Sequence, residues 1–184
     1  MEREKALKLL KEKIKTKNLR KHVLAAEAVM RELADYFNED KEKWGLAGLL
    51  HDIDYEKTKD EPEKHSILGA KMLKEKGLEE DIVHAIKAHN KMHNIELKTK
   101  IDKALFVSDP ITGLIVAATL VLPSKKINDL QVENVLNRFK EKSFAKGADR
   151  EVIAKCDELL GLSLKEFTSI ALKAMQKINK ELGL

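Results

Sequence analysis

The sequence predicts an all-α fold arranged as a single domain. Three observations carry this expectation. Apolar residues recur at helical spacing along nearly the whole chain, and no stretch alternates with the period of a half-buried strand. Charged residues make up 36% of the chain and aromatics 4%, a usage dominated by Lys, Glu, Leu and Ala that suits packed helices. The 184 residues are enough for one domain with a sizeable core, and no repeat or low-complexity linker divides them.

The elements follow in order. Residues 2–15 are expected to form an amphipathic helix with Leu7, Leu10 and Ile14 on one face. Asn18 is a suitable N-cap for a second helix, Leu19 to Phe37, in which His22, Ala26, Val29 and Leu33 share a stripe. Asn38-Glu39-Asp40 breaks it. A third helix, Lys41 to Leu50, is almost wholly apolar after Trp44, which is expected in the core. Residues 53–62 read as a polar loop ending at Pro62. Helix four is expected over Glu63–Lys76, stopping at Gly77. Helix five spans Glu79–His89, and Asn90–Thr99 is a polar loop. Helix six starts near Lys100 and reaches Asp109, where Pro110 ends or kinks it before Ile111–Val121 continues. After Pro123-Ser124 come Asp129–Lys140, Asp149–Leu160 and Ser163–Leu182, the last opened by a Ser163/Glu166 capping box. The region 18–120 is expected to be the functional core, with 129–184 packing on it.

Composition narrows the function classes. The chain has 35 basic and 31 acidic side chains, net +4, spread along the sequence. This favours an anionic substrate without demanding nucleic acid, and no aromatic–basic interleaving marks a single-strand binder. The lone Cys156 rules out a disulfide framework and suits a reducing compartment. With no nearby activating group, it reads as a packing residue. The first residues are too charged for a secretory signal. The longest apolar run, Ile111–Leu122, is about 12 residues and too short to span a bilayer. The expectation is a cytoplasmic protein with no membrane partner. The oligomeric state is open.

Chemistry concentrates around LAGLLHDID. All six histidines lie between residues 22 and 93. Adjacent side chains on a regular helix point about 100° apart, so His51 and Asp52 can share an ion only at a helix end. The apolar turn before them leads to one. His22 lies on an inward stripe and needs a partner there. Asp109 closes the apolar stretch Ala104–Val107 and is costly to bury unless paired or bound to metal. Asp102 is its rival, read as a solvated helix start. His65 opens a helix. His84 and His89 stand about 140° apart on one helix, so one must be chosen. His93 reads as solvated. Imidazole and carboxylate without thiolate suit Mn, Fe, Co, Ni, Mg or Zn.

The ordered set His22, His51-Asp52, Asp109 resembles the HD superfamily of metal-dependent phosphohydrolases, over roughly residues 18–120. LLHDID is similar to its HDIG subgroup, except that Asp54 stands where that string has glycine. HSILGAKML and IVHAIKAHN resemble the segments that give extra histidines in the two-metal branch, which selects His89 over His84. The resemblance implies one or two divalent metal ions held by His22, His51, Asp52, His65, His89 and Asp109, with Asp52 bridging. It implies metal-assisted hydrolysis of a phosphoester or phosphoanhydride. Asp52 and Asp54 are the candidate catalytic carboxylates, Asp54 either orienting water or capping its turn. Lys57, Lys87 and Lys91 are candidate phosphate contacts. No GYP motif follows His89, which argues against a cyclic dinucleotide phosphodiesterase. The expected substrate is a small phosphate compound, a nucleotide or dinucleoside polyphosphate, and not a nucleic-acid polymer. DIDYEKTKDEPEK beside the motif is rich in carboxylates that would repel one. A di-iron oxygenase and a non-enzymatic metal-binding signalling module are the alternatives.

Overall fold

The computed structural model describes residues 1–184 and contains helices and turns with no strand. Helix α1 (Arg3–Lys13) turns Ala6, Leu9 and Leu10 inward. Helix α2 (Lys17–Phe37) begins slightly earlier than the sequence suggests, at Thr16 rather than Asn18. The Glu56 carboxylate accepts from the backbone N–H groups of Lys15 and Thr16, at 2.8 and 2.6 Å. A distant side chain thus supplies the cap that local sequence does not. The helix ends on Asn38 in the left-handed conformation. Helix α3 (Lys41–Leu50) is capped by Asp40, whose side chain accepts from the N–H groups of Glu42 and Lys43.

Helices α2 and α3 lie unusually close. A Cβ at Gly48 would stand 2.7–2.8 Å from the backbone of Ala26 and Glu27, so only glycine permits this approach. The polar loop contains a single turn, α4 (Tyr55–Thr58). Helix α5 (Ile67–Glu75) starts later than the expected Glu63, because residues 62–66 are turns and Ser66 has φ +70°. Helix α6 (Glu80–Ala88) follows.

Helix α7 (Lys100–Leu120) is one continuous element through Pro110. Of the two expected outcomes, an end or a kink at Pro110, the end does not occur. Proline removes one backbone donor and crowds the preceding turn. Burial of Ile111, Leu114, Ile115 and Ala118 keeps the remainder in place. By length and composition α7 could cross a membrane, but 61% of its apolar window is buried in the bundle. Its start is a capping box of Thr99 and Asp102. Asp102 is fully buried, not a solvated helix start as its charged surroundings suggest. One oxygen accepts from the N–H groups of Lys98 and Thr99 and from His84 Nδ1.

The C-terminal third is α8 (Val132–Lys140), α9 (Arg150–Ala154), α10 (Cys156–Leu160), α11 (Leu164–Lys177) and α12 (Asn179–Leu182). The two expected helices on either side of Ser163 are each divided, at Lys155 and at Ile178. Helix α11 packs on α2 and α7 and buries Phe167, Leu172 and Met175. Trp44 and Cys156 are buried in the same core.

Candidate metal centre

Four helices deliver the site. α2 carries His22, the end of α3 gives His51 and Asp52, the end of α6 gives His89, and α7 gives Asp109. His65 comes from the turn before α5. The close α2–α3 approach at Gly48 brings the His22 and His51 Nε2 atoms to 3.2 Å. His22 Nε2 lies 3.0 Å from Asp109 Oδ1 and 3.5 Å from Asp52 Oδ2. His51 Nε2 lies 3.5 Å from Asp52 Oδ2 and 3.7 Å from Asp109 Oδ1. The other Asp52 oxygen, Oδ1, faces His65 Nε2 at 3.3 Å and His89 Nε2 at 3.6 Å. Asp52 therefore presents one oxygen to each pair of imidazoles.

The tautomers follow from what the outer nitrogens touch. His51 Nδ1–H donates to the Gly48 carbonyl at 2.8 Å, and His89 Nδ1–H to the Ile86 carbonyl at 2.6 Å. The Thr112 hydroxyl donates to the Asp109 carbonyl at 2.8 Å, so it must accept from His22 Nδ1–H at 3.1 Å. His65 Nδ1–H donates to Asp54 Oδ1 at 2.9 Å. With Nδ1 protonated in all four neutral rings, every Nε2 lone pair points inward, beside two carboxylates. Such a cluster requires positive charge at its centre. Burial opposes a charge on His51, yet the carboxylates of Asp52 and Asp109 outweigh burial and raise its pKa to about 9. His65 rises likewise to about 9, burial being outweighed by Asp52 and Asp54. Asp52 and Asp109, despite burial, are held well below the usual carboxylate range by the surrounding imidazoles.

A divalent ion fits this donor set. Ligands bound at about 2.1 Å stand about 3.0 Å apart in octahedral and 3.4 Å apart in tetrahedral coordination. The observed 3.0–3.7 Å separations bracket those values. Two groups can each surround an ion: His22, His51 and Asp109, and His51, Asp52 and His89.

The remaining candidates separate clearly. Asp54 is buried, with Oδ1 on His65 and Oδ2 accepting from the Gly69 N–H at 2.6 Å. It neither reaches the open side of the cluster nor caps its own turn. The catalytic reading of Asp54 is thus replaced by one in which it fixes the ring of His65. His84 is drawn away by Asp102, at 2.9 Å. His93, expected to be solvated, is half-buried and donates from Nε2 to the His65 carbonyl at 2.7 Å. Lys91 lines the cleft above the cluster, paired with Asp149. Lys57 and Lys87 are exposed and are not among the residues lining that cleft.

The cleft has a volume of about 350 Å³, and its far wall is formed by Gly147, Ala148, Asp149 and Val152. Sequence reading missed that contribution, because nothing in those residues marks them as functional. Thr112 was missed as well; the one signal that could have found it is a hydroxyl one helical turn after Asp109.

A family model described as HD domain matches residues 19–150. The chain is 32% identical over 149 residues to a Ribonuclease Y of Lawsonia intracellularis (strain PHE/MN1-00), covering 77% of this chain and 28% of that protein. It is 30% identical over 140 residues to a Ribonuclease Y of Nitratidesulfovibrio vulgaris (strain DP4), covering 74% and 27%. With the Ribonuclease Y of Oleidesulfovibrio alaskensis (strain ATCC BAA-1058 / DSM 17464 / G20) it shares 27% over 149 residues, covering 78% and 28%. The chain thus spans just over a quarter of the length of these relatives. Relatives that are ribonucleases by name overturn the expectation that nucleic-acid polymers are excluded. The whole-chain charge balance behind that expectation says little about the surface actually presented at the cleft.

Proposed function

The chain belongs to the HD-domain family, and on that premise we propose that it is a metal-dependent phosphodiester hydrolase acting on RNA. The observation that carries the hydrolase reading is Asp52, with one oxygen turned to His22 and His51 and the other to His65 and His89. His22, His51, Asp109 and Asp52 Oδ2 would hold one ion, and His65, His89 and Asp52 Oδ1 a second. When bound, such ions supply Lewis acidity at a phosphoryl oxygen and lower the pKa of water.

The chain's own residues do the rest. Carbonyls of Gly48 and Ile86, the Thr112 hydroxyl and the Asp54 carboxylate fix the four rings with Nε2 inward, as outer partners of ligands commonly do. Lys91 stands at the cleft, where its ammonium can exchange Asp149 for a phosphate oxygen. No nucleophilic side chain is needed.

The test is hydrolysis of end-labelled RNA by the purified chain with Mn, Co, Ni, Fe or Mg. Cleavage that disappears in Asp52→Ala, with the circular dichroism unchanged, is the expected result. An absence of RNA cleavage under every metal refutes the reading.

A further inference from the structure

Gly113 is a helix-interior glycine with no structural reason to be one. Its φ is not positive. A Cβ built on it meets no atom within 4 Å. It is exposed while Thr112 and Leu114 on either side are buried. Glycine weakens a helix interior relative to alanine, and neither conformation nor packing asks for it here. What the missing side chain leaves is open space, in a telling place. Gly113 lies one turn along α7 from Asp109. It and His22 border both the metal cleft and a second cavity of about 420 Å³.

That second cavity continues both helix faces that carry the ligands. On α2 the stripe is Asn18, Lys21, His22 and Ala25. On α7 it is Asp109, Gly113, then Val116, Ala117 and Leu120. The end of α12 closes the far side. Half of its lining is apolar, and Asn18, Lys21, His22 and Thr112 contribute polar groups. Its volume lies in the range of small-molecule sites, which are mostly apolar with a few placed polar groups.

Resting on the phosphodiester reading above, we infer that this cavity is a nucleoside subsite: the strand crosses Gly113, with the reacting phosphate at the His22/Asp109 end and the neighbouring base and sugar against Ala25, Val116, Ala117 and Leu120. The distance suits this. Four residues of helix advance about 6 Å, the order of one nucleotide step. Asn18 offers both donor and acceptor to a base edge or ribose hydroxyl. Lys21 can meet the next phosphate. The absence of an aromatic wall means that the base is held by shape and aliphatic contact rather than stacking.

The test compares a short RNA with methyl p-nitrophenyl phosphate, a diester too small to reach across Gly113. Ala117→Phe fills the cavity. It is expected to lower the ratio of kcat/KM for RNA over the small diester about tenfold, mainly through KM for RNA. Gly113→Leu, which blocks the passage, is expected to act in the same direction. A ratio unchanged in both variants overturns the subsite. Wild-type protein that cleaves neither substrate overturns instead the hydrolase reading beneath it. A measurement independent of any variant is photo-crosslinking of 8-azidoadenosine 5′-monophosphate to the Mn-loaded wild-type chain. Labelled peptides within 18–25 or 113–120 support the subsite, and labelling confined to other segments overturns it.

Discussion

Gly48→Ala tests whether the α2–α3 approach is what assembles the metal centre. Alanine favours a helix interior over glycine by about 1 kcal/mol, so the substitution would be stabilising at an open position. Position 48 is not open. The new methyl would lie 2.7 Å from the Ala26 carbonyl oxygen and 2.8 Å from Ala26 C and Glu27 N, about 0.7 Å inside ordinary contact. These are backbone atoms of a long helix and cannot rotate away. Overpacking of this kind costs about 1–3 kcal/mol, which offsets the propensity gain and leaves a net loss of up to about 2 kcal/mol. For a chain of this size that lowers Tm by up to roughly 8 °C. The melt should be run in EDTA, so that metal linkage does not contribute. The same shift must move His51, tied to the Gly48 carbonyl, relative to His22 on α2. Calorimetric titration with Mn is expected to show affinity weakened about tenfold or more. Gly113→Ala is the control, because its Cβ meets nothing and Tm should rise by about 2–4 °C. A Gly48→Ala protein that melts at or above wild type, with unchanged metal affinity, would refute the reasoning.

Three further outcomes follow from the same geometry. Asp52→Ala, which removes the carboxylate facing both histidine pairs, is expected to release both ions; metal analysis of the desalted protein that found full occupancy would contradict the bridging role. Wild-type chain should bind two Mn per chain at saturation and His65→Ala/His89→Ala only one, whereas Asp54→Asn should keep both sites and weaken the second about 10–100-fold, as read by titration. Cys156 is buried, and burial pushes its thiol up to about 11, so iodoacetamide at pH 8 is expected to leave it unmodified until denaturant is added; rapid labelling of the native protein would show the core open there.

Four of the residues that the structure gathers in the cluster were legible because each carries its own cost signal, whereas His65 and His89 were selected only by the family resemblance. His22 sits on an apolar stripe, Asp109 ends an apolar run, and His51-Asp52 closes a helix with no polar residue for seven positions. Local chemistry of this sort can be read one residue at a time. What could not be read were the partners from elsewhere in the chain. Asp102 looks solvated because its neighbours are charged, but its burial is decided by His84, 18 residues earlier. Thr16 starts α2 because Glu56, 40 residues on, receives its N–H. Pro110 was expected to end or kink α7, a rule of local geometry, and the helix does not end there. The apolar residues on both sides of it are anchored in the core, and that packing overrides the local penalty. The cleft wall at 147–152 follows from topology alone.

The substrate expectation failed for a reason of the same kind, and the reason bears on what the cleft can accept. Carboxylates in DIDYEKTKDEPEK were counted as charge presented to an approaching polyanion. In the folded chain Asp52 and Asp54 are buried and turned onto histidines. Glu56 caps the start of α2, and Glu61 pairs with Lys64. Little of that charge faces the cleft. The surface that does face it is one side of α7, from Phe106 past Asp109 and Gly113 to Leu120, about 21 Å of helix. A mononucleotide would cover only part of such a face. A strand held at its reacting phosphate by the His22/Asp109 end would use its whole length, and would need few basic contacts beyond Lys21 and Lys91 because the centre itself supplies the cation. Binding through so few phosphate contacts implies a shallow salt dependence, since each phosphate neutralised on a single strand contributes about 0.7 unit of slope. With two lysine contacts, RNA affinity of the metal-loaded chain is therefore expected to fall with a log–log slope of about −1.4. A slope steeper than about −5 would mean that a basic surface outside this face carries the strand.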